Sequence, residues 1–217
     1  MGALADVTAE DRTLLCGAGL RNTVLLTRAA RHGWTGLDAL TGIPGTIGGA
    51  VRMNAGSALG EIGDAIVEVD VVLPDGALLT LPHAALGLRY RHCELPDGGV
   101  VARARLRLGD EPYDVAEARM RAFLDRRKAT QPLDQPSCGS TFRNPPGDTA
   151  GRLIDAAGLK GLQIGGAMVS PKHANFIVNT GDATAADVLA VIRRVQAEVE
   201  ARSGVRLAPE VEIVGAW

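Results

Sequence analysis

The segment with the most obvious chemical potential is residues 138–145, which reads CGSTFRNP. Ser140 follows a glycine that leaves space around its hydroxyl, and Arg143 and Asn144 add a cation and an amide a few residues later. This combination suits a phosphate or sugar contact with a hydroxyl placed for proton transfer. It lacks the GxSxG spacing of a hydrolase nucleophile, which disfavours that chemistry. A structured turn without a ligand accounts for the same residues equally well.

A second candidate is the glycine-rich stretch at residues 42–56, GIPGTIGGAVRMNAG. The glycines in its first eight residues allow a flat or phosphorylated ligand to approach the backbone and its N–H groups. Asn54 offers a further hydrogen bond, although an asparagine in a turn usually bonds its own backbone. The density of Gly and Pro predicts no regular helix or strand here. A glycine-rich corner that only permits tight packing is an equal alternative.

Three other segments each offer one functional group. Arg91, beside Tyr90, suits bidentate binding of a carboxylate, although a surface arginine is usually only solvated. His173 follows a glycine-rich loop and is either a ligand contact or a packed imidazole. Glu210 precedes Glu212 by two residues in PEVEIV, so both side chains share one face if the segment is a strand. A single glutamate on a strand is usually solvated.

Composition excludes several classes of protein. The 217 residues carry 23 Lys plus Arg against 25 Asp plus Glu, a net charge of -2, so no overall positive field favours nucleic acid or an anionic membrane. No apolar run approaches the roughly 18 residues of a membrane span. Three cysteines without CxxC spacing argue against a disulfide framework and a structural zinc site. We therefore expect a non-secreted, cytoplasmic protein without a bound metal.

The elements that must position these groups indicate an α+β fold. Helical spacing predicts four helices, at residues 23–32, 112–128, 150–157 and 184–203. Asn22 is the expected N-cap of the first helix and Gly33 its C′ residue; Thr184 and Asp187 are the expected capping box of the last, which Gly204 ends. Alternating apolar residues predict strands at residues 66–73, 77–81 and 101–108, the last with one apolar and one basic face, and one or two further strands at 205–214. A zone rich in Pro, Gly and Ser at residues 131–146 predicts a boundary between two domains, at 1–130 and 131–217.

Taken in order, five segments resemble the UDP-N-acetylenolpyruvoylglucosamine reductase family, also called UDP-N-acetylmuramate dehydrogenase. They are GIPGTIGGAVRMNAG, the Tyr90-Arg91 pair, CGSTFRNP, GLKGLQIGGAMVSPKHANFIVN and the terminal PEV. Five ordered matches across nearly the whole chain are more specific than any one of them. The resemblance implies a partial FAD-binding domain of the PCMH type, with a mixed sheet and helices, followed by a smaller α+β substrate-binding domain.

The resemblance also implies an activity, the reduction of UDP-N-acetylglucosamine enolpyruvate to UDP-N-acetylmuramate for peptidoglycan. In the family, NADPH reduces FAD, and the flavin N5 delivers hydride to carbon C3 of the enol ether. Ser140 matches the proton donor to C2, and Arg91 and Glu210 match the pair that binds and polarises the substrate carboxylate. Hydride addition creates an enolate-like dianion, for which a fixed guanidinium is a suitable stabiliser.

Binding residues follow from the same resemblance. Those expected to line the flavin are Gly42, Ile43, Pro44, Gly45, Thr46, Gly48, Gly49, Asn54 and Gly56. Those expected to bind the substrate are Asn144 at the nucleotide, Arg126, Arg127 and Lys128 at the diphosphate, and His173. The expected partners are therefore small molecules, namely the UDP-sugar enolpyruvate and NADPH.

The resemblance begins within the flavin-binding region, because the family's GGGSN-type loop for the FAD diphosphate has no counterpart in the sequence. We therefore expect a shortened form of such an enzyme, with apolar surface exposed where the rest of the domain would pack. A first alternative is a non-catalytic fragment that binds a UDP-sugar and does not retain FAD. A second is another flavin oxidoreductase, which would leave CGSTFRNP and the terminal PEV unexplained.

Overall fold

The structure, a computed structural model, describes residues 4–215. Contacts divide the chain into two compact units, Met1–Leu124 (unit 1) and Asp125–Trp217 (unit 2). The predicted α+β class is confirmed, because helices and strands occur in both. Within the described residues, no helix is long and apolar enough to cross a membrane. The domain boundary at 130/131 stays a prediction.

Unit 1 is built around a five-stranded sheet in the order β1-β2-β7-β5-β6, beside a small β3-β4 pair. Its elements are β1 (Val7–Glu10), β2 (Thr13–Gly17), α1 (Asn22–His32), α2 (Ile47–Arg52), β3 (Gly56–Ser57), β4 (Gly60–Glu61), β5 (Ile66–Val72), β6 (Leu78–Pro82), β7 (Val100–Arg107) and α3 (Tyr113–Thr130), which continues into unit 2. Every described pairing in the sheet is antiparallel. The mixed sheet expected from the resemblance is therefore wrong in this detail. Short turns join β1 to β2 and β5 to β6, and such connections permit only antiparallel pairing.

The sheet buries one face against the helices and presents charges on the other. On β7, Ala104 and Leu106 are fully buried, whereas Arg103 and Arg107 are exposed. This confirms the predicted division of the strand into an apolar and a basic face. Arg105 lies on the charged side, where its Nε donates to Glu68 Oε1 of β5 at 2.9 Å.

The first helix begins at Asn22, the residue that was predicted to cap it. Asn22 is the first helical residue and Arg21 occupies the N-cap position, while Gly33 ends the helix with a φ of 67° as predicted. Asn22 is buried, and its side-chain amide donates to the carbonyl oxygen of Ile43 at 3.2 Å. The asparagine therefore ties α1 to the glycine-rich stretch instead of capping its own helix.

The glycine-rich stretch contains a helix that its composition does not predict. α2 has two glycines in its six residues, yet Ile47 and Val51 are fully buried in the core of unit 1. Burial of this apolar pair offsets the conformational cost of the glycines. The predicted absence of regular structure at 42–56 is therefore wrong for residues 47–52.

α3 is attached to unit 1 by an ion-paired arginine. Ala116 is its one buried residue among those described. Arg119 Nε donates to Asp38 Oδ2 at 2.9 Å, and Arg119 also pairs with the carboxylate of Glu111. Only 8% of the Asp38 side chain is exposed, so Arg119 is the cation that compensates the negative charge of this buried carboxylate.

Unit 2 combines one antiparallel sheet, in the order β8-β11-β10-β9, with two helices. Its elements are β8 (Ser137–Ser140), α4 (Ala150–Ala156), β9 (Gln163–Ile164), β10 (Ala167–Val169), β11 (Phe176–Asn179) and α5 (Ala185–Ser203). α5 begins at the predicted capping box, in which Thr184 Oγ1 accepts from Asp187 N and Asp187 Oδ2 accepts from Thr184 N. It ends at Gly204, as predicted.

The end of the chain departs from the prediction. Within the described residues, 205–214 contain no strand, only an isolated bridge between Phe142 and Pro209. Arg143 N donates to Ala208 O at 2.9 Å, and Glu210 N donates to Thr141 O at 2.8 Å. Two hydrogen bonds hold the segment beside residues 141–143 but do not extend into a ladder. Glu210 therefore lies on an irregular segment, so the strand argument for Glu212 does not apply.

An apolar patch lies at one end of the unit 1 sheet. Val72 pairs with Leu78 on one side and with Val100 on the other. The exposed fractions are 64% for Leu78 and 66% for Val100. These three residues form the exposed patch of the sheet.

Candidate functional site

A polar cleft of about 480 Å³ in unit 2 brings together several predicted site residues. It is lined by Ser140, Asn144, Thr149, Gly151, Arg152, Asp155, Lys160, Lys172, His173, Ala174 and Asn175. Ser140, Asn144 and His173 were predicted from sequence, and they come from two segments of unit 2, CGSTFRNP and the loop before β11. Arg143, which neighbours Asn144 in sequence, is not among the lining residues.

Ser140 is held at the last position of β8. It pairs with Phe176 of β11, and Gly139 precedes it with a φ of 80°, in the left-handed region that favours glycine. Ser140 is half-buried, and it reaches the cleft. The glycine before Ser140 is thus required by the backbone at this point.

Glu210 is connected to the same backbone. Its N–H donates to Thr141 O, one residue after Ser140, and the residue is half-buried. The backbone of Glu210 is therefore hydrogen-bonded to the residue that follows Ser140. This connection joins two of the three predicted catalytic residues within unit 2.

Three cations line the cleft, of which Lys172 belongs to the predicted loop of His173, whereas Arg152 and Lys160 were not predicted. Arg152 pairs with Asp148, Lys160 Nζ lies 2.7 Å from Asp155 Oδ2, and Lys172 Nζ donates to Lys128 O at 2.7 Å. Arg152 is well exposed, and its lysine neighbours are exposed in part, so all three can approach a bound anion. Lys160 and Lys172 lie within GLKGLQIGGAMVSPKHANF, and the position of Lys160 at the other end of the same glycine-rich segment is the signal that could have identified it.

His173 is a partly packed imidazole at the edge of the cleft. Its ring contacts Phe176 edge-on at 4.8 Å, and its Nδ1 accepts from Asn175 N at 3.3 Å. Burial lowers the pKa of His173, and the positive charge of Lys160 lowers it further. The neutral ring with its proton on Nε2 therefore fits this environment.

The remaining predicted substrate residues differ in their surroundings. Asn144 Oδ1 accepts from Ala150 N at 3.0 Å, so the side chain helps to start α4. On α3, Arg126 and Lys128 are exposed, whereas Arg127 Nε donates to Gln131 Oε1 at 2.8 Å. Burial lowers the pKa of Arg127. Lys128 is connected to the cleft through its carbonyl, which accepts from Lys172.

In unit 1, Arg91 lies in a tight turn. Arg89 and His92 exchange backbone hydrogen bonds of 3.1 and 2.9 Å, and Arg91 between them has a φ of 55°. Its guanidinium donates to Gly56 O at 3.0 Å and lies 4.8 Å from the ring centre of Tyr90. These contacts hold the half-buried arginine in one orientation.

Asn54 connects this turn to the segment after the glycine-rich stretch. Its Oδ1 accepts from Gly63 N at 3.0 Å, and its Nδ2 donates to Glu61 Oε2 at 2.6 Å and to Arg89 O at 3.1 Å. Only 1% of Asn54 is exposed. The contacts of Asn54 thus serve the protein's own structure, and its predicted flavin contact stays a prediction.

The glycine-rich stretch presents an open backbone surface. A Cβ atom at Gly45 would meet no atom within 4 Å, and one at Gly49 would meet only Thr46 Oγ1 at 4.0 Å. At Gly48, by contrast, a Cβ would lie 2.9 Å from the Cβ of Ala18. Packing therefore explains Gly48, whereas the backbone of Gly45 and Gly49 is open to solvent and can be approached by a ligand.

The other predicted flavin residues surround this surface. Gly42 and Pro44 are exposed, Ile43 and Thr46 are half-buried, and Gly56 is buried. Two buried polar atoms in the same region, Asn22 Oδ1 and Thr41 Oγ1, have no hydrogen-bond partner in the protein. Buried polar groups are normally satisfied, so these two atoms are further places where a ligand or water fits.

Metal and thiol chemistry find little support. Across residues 4–215, no group of three His, Cys, Asp or Glu side chains could hold a metal ion. Cys16, Cys93 and Cys138 are free thiols. Burial, with a smaller contribution from Asp6, raises the pKa of Cys16 to about 12, which keeps this thiol protonated.

Comparison with known proteins defines the class first. A family described as an FAD binding domain matches residues 1–82, and the C-terminal domain of UDP-N-acetylenolpyruvoylglucosamine reductase matches residues 131–214. The glycine-rich stretch at residues 42–56 lies in the first match, and every residue that lines the cleft lies in the second. The chain thus belongs to a class of proteins that join an FAD-binding domain to a reductase domain.

The relatives identify the particular family. UDP-N-acetylenolpyruvoylglucosamine reductase of Anaeromyxobacter dehalogenans (strain 2CP-C) is 54% identical over 96% of this chain and 63% of its own length. That of Sphingopyxis alaskensis is 45% identical over 98% of this chain and 72% of its own length. The crystal structure of the reductase (MurB) from Thermus caldophilus matches with a TM-score of 0.84 and 46% identity, covering 94% of this chain and 73% of that chain. The chain belongs to the UDP-N-acetylenolpyruvoylglucosamine reductase family, and it spans about 63% of the length of the first of these relatives.

Proposed function

We propose that this chain acts as a reductase that converts UDP-N-acetylglucosamine enolpyruvate to UDP-N-acetylmuramate with NADPH and FAD. The observation that carries the proposal is the unit 2 cleft, in which Ser140 and Asn144 lie among three cations. A hydroxyl beside a cationic surface suits a diphosphate-bearing substrate that must accept a proton. The high identity to reductases over almost the whole chain supports the same conclusion.

FAD fits the glycine-rich stretch of unit 1. When bound, it supplies two-electron hydride transfer from NADPH to the substrate. Gly45 and Gly49 would face it with bare backbone, and the orphaned oxygens of Asn22 and Thr41 offer acceptors nearby in the fold. The predicted flavin residues from Gly42 to Gly49 would thus bind the cofactor largely through shape and backbone groups.

The predicted catalytic residues divide the remaining chemistry. Addition of hydride at C3 leaves negative charge on C2 and the carboxylate, and Arg91 would stabilise that charge through its oriented guanidinium. Ser140 would then donate its hydroxyl proton to C2, so that one hydride and one proton complete the reduction. Glu210 would polarise the substrate carboxylate, the role that the resemblance implies for it.

The cations that line the cleft would bind the diphosphate of the UDP-sugar substrate. Lys160 and Lys172 would contact its oxygens, together with Asn144 and Arg152. Arg126, Arg127 and Lys128, which were predicted for this role, would contribute from α3, and His173 would line the site. Lys172 links the two groups, since its ammonium bonds the carbonyl of Lys128.

The first experiment is an absorbance spectrum after incubation with FAD and removal of free cofactor. A bound flavin that NADPH bleaches and the enolpyruvate substrate restores supports the proposal. A colourless protein that binds UDP-sugar in a calorimeter would instead support the non-catalytic alternative. A protein that binds neither would contradict both.

A pair of serine variants tests the assigned proton donor. Ser140→Ala is expected to leave flavin bleaching by NADPH intact and to abolish its restoration by substrate. Ser137→Ala on the same strand removes an exposed hydroxyl outside the cleft lining and serves as the matched control. Equal turnover of the two variants would contradict the role of Ser140.

The biological setting is part of the proposal. Free thiols at all three cysteines suit a reducing compartment, so we place the protein in the cytoplasm. Its product would serve peptidoglycan synthesis, and through it cell shape and division.

A further inference from the structure

Asn175 occupies an unusual position between β11 and the end of β8. Its Oδ1 accepts from Phe142 N at 2.9 Å, and its Nδ2 donates to Phe142 O at 2.8 Å. Its own carbonyl accepts from Thr141 N at 2.8 Å. Only 4% of Asn175 is exposed, so these bonds are made away from water.

The side chain of Asn175 continues the pairing beyond the Ser140–Phe176 end of the ladder between β8 and β11. β8 and β11 pair at Ser140 and Phe176, and the register shifts between Phe176 and Val178. An asparagine side chain carries an NH2 donor and a carbonyl acceptor. It can therefore bond both the N–H and the C=O of Phe142, as the backbone of a neighbouring strand would. Residues 140–142 are thereby held on a path that the backbone of β11 alone does not determine.

We propose that Asn175 is a positioning residue for the Ser140 hydroxyl. The role rests on the proposed function, in which Ser140 donates a proton to the substrate. The side chain of Asn175 bonds the backbone of Phe142, two residues after Ser140, and thereby fixes the position of the Ser140 backbone. A displacement of a reacting group by about 1 Å can cost about a hundredfold in rate, so such a restraint matters for proton transfer.

The same segment also carries the anchor of Glu210. Thr141 N bonds to Asn175, and Thr141 O accepts from Glu210 N. Loss of the amide contacts at Phe142 would therefore loosen the backbone beneath two predicted catalytic residues. His173 is tied to the same point, because its Nδ1 accepts from Asn175 N.

A purely structural role makes a different prediction. If Asn175 had only a structural role, Asn175→Asp would affect the two half-reactions equally, because aspartate has nearly the same shape and its buried charge would weaken the fold as a whole. The carboxylate cannot donate to Phe142 O and would repel it, although it can still accept from Phe142 N. Asn175→Asp therefore removes the positioning contact with little change of volume, and Asn175→Ala removes both.

The test uses the protein loaded with FAD, with stopped-flow measurement of each half-reaction. For both Asn175 variants we expect flavin reduction by NADPH within about twofold of the wild type and reoxidation by substrate slowed about tenfold or more. Substrate affinity should change less than the reoxidation rate. Asn179→Ala is the matched control, since Asn179 is the last residue of β11, which Asn175 directly precedes, but its side chain accepts from Gly181 N and Ala183 N.

A second readout reports on the backbone directly. Amide hydrogen exchange at Phe142 should accelerate in both Asn175 variants and stay unchanged in Asn179→Ala. Reoxidation at the wild-type rate in a folded Asn175→Asp enzyme would overturn the positioning role. Equal slowing of the two half-reactions would also overturn it, because that result indicates general loss of structure. A wild-type enzyme whose flavin the substrate fails to reoxidise would instead overturn the proposed function itself.

Discussion

The guanidinium of Arg91 donates a hydrogen bond to the carbonyl oxygen of Gly56 at 3.0 Å, while the Arg91 backbone adopts a φ of 55°. Side chains other than glycine, asparagine and aspartate seldom occupy this left-handed region. The turn from Arg89 to His92 would thus fold more readily with glycine at position 91. An arginine at this position indicates that its side chain is needed.

Replacement of Arg91 separates backbone strain from chemistry. Arg91→Gly relieves the left-handed conformation and Arg91→Ala does not, so the glycine variant should be more stable than the alanine variant by about 1 kcal/mol in urea unfolding. Both should lose substrate reduction. Equal stability of the two variants would show that the turn is not strained, and an active glycine variant would contradict the assigned role.

Gly48 and Gly49 provide a matched pair for testing the flavin surface. Gly49 lies in α2, and the space around its added Cβ is open. Gly49→Ala should therefore stabilise the fold by about 0.5–1 kcal/mol, and its methyl group should weaken FAD binding. Gly48→Ala meets Ala18 and should destabilise the fold by about 1–3 kcal/mol. Thermal unfolding and FAD titration measure the two effects. Unchanged FAD affinity in Gly49→Ala would place the flavin elsewhere.

The ion pair between Arg119 and Asp38 should stabilise unit 1. Arg119→Met leaves the buried Asp38 carboxylate without its cation, and we expect a loss of about 2 kcal/mol in the free energy of unfolding. Arg121→Met is the control, because Arg121 and its partner Glu117 are exposed and their pair should contribute less than about 0.5 kcal/mol. Similar losses of unfolding free energy in both variants would show that the ion pair with Asp38 stabilises the fold no more than an exposed pair does.

His173 should make the stability of the protein depend on pH. Burial lowers the pKa of His173 below its ordinary 6.5, so the unfolded chain binds a proton that the folded chain resists. The stabilising effect is therefore complete above about pH 6.5 and is lost as the pH falls through the lower pKa of the folded state. His173→Gln should flatten this dependence between about pH 5 and pH 7 in urea unfolding, with His83→Gln as the exposed control. An unchanged slope in His173→Gln would contradict the prediction.

Much of the fold could be predicted because its signals are local. The capping box at Thr184 and Asp187, the stop at Gly204 and the alternation on β7 each depend on residues close together in sequence. α2 escaped prediction because burial of Ile47 and Val51 outweighs two glycines, and burial is a property of the folded chain. The strands β1 and β2 were also missed, since their short segments carry little alternation.

The candidate site could be predicted only in part, for a similar reason. Motifs identified Ser140 and His173, and the structure brings both to one cleft. The contacts of Asn175 with Phe142 join residues 33 positions apart, and no local pattern indicates them. Likewise, the sequence suggests Asn54 as a ligand contact, whereas the fold surrounds its amide with protein groups.

The exposed patch of Val72, Leu78 and Val100 has a consequence for handling the protein in solution. It adjoins β6, which is an edge strand among the described residues and therefore offers unpaired backbone groups beside apolar side chains. Concentrated samples should self-associate through this corner of the sheet. A lysine in place of Leu78 would place charge at the edge and keep the protein dispersed, without altering the cleft or the glycine surface.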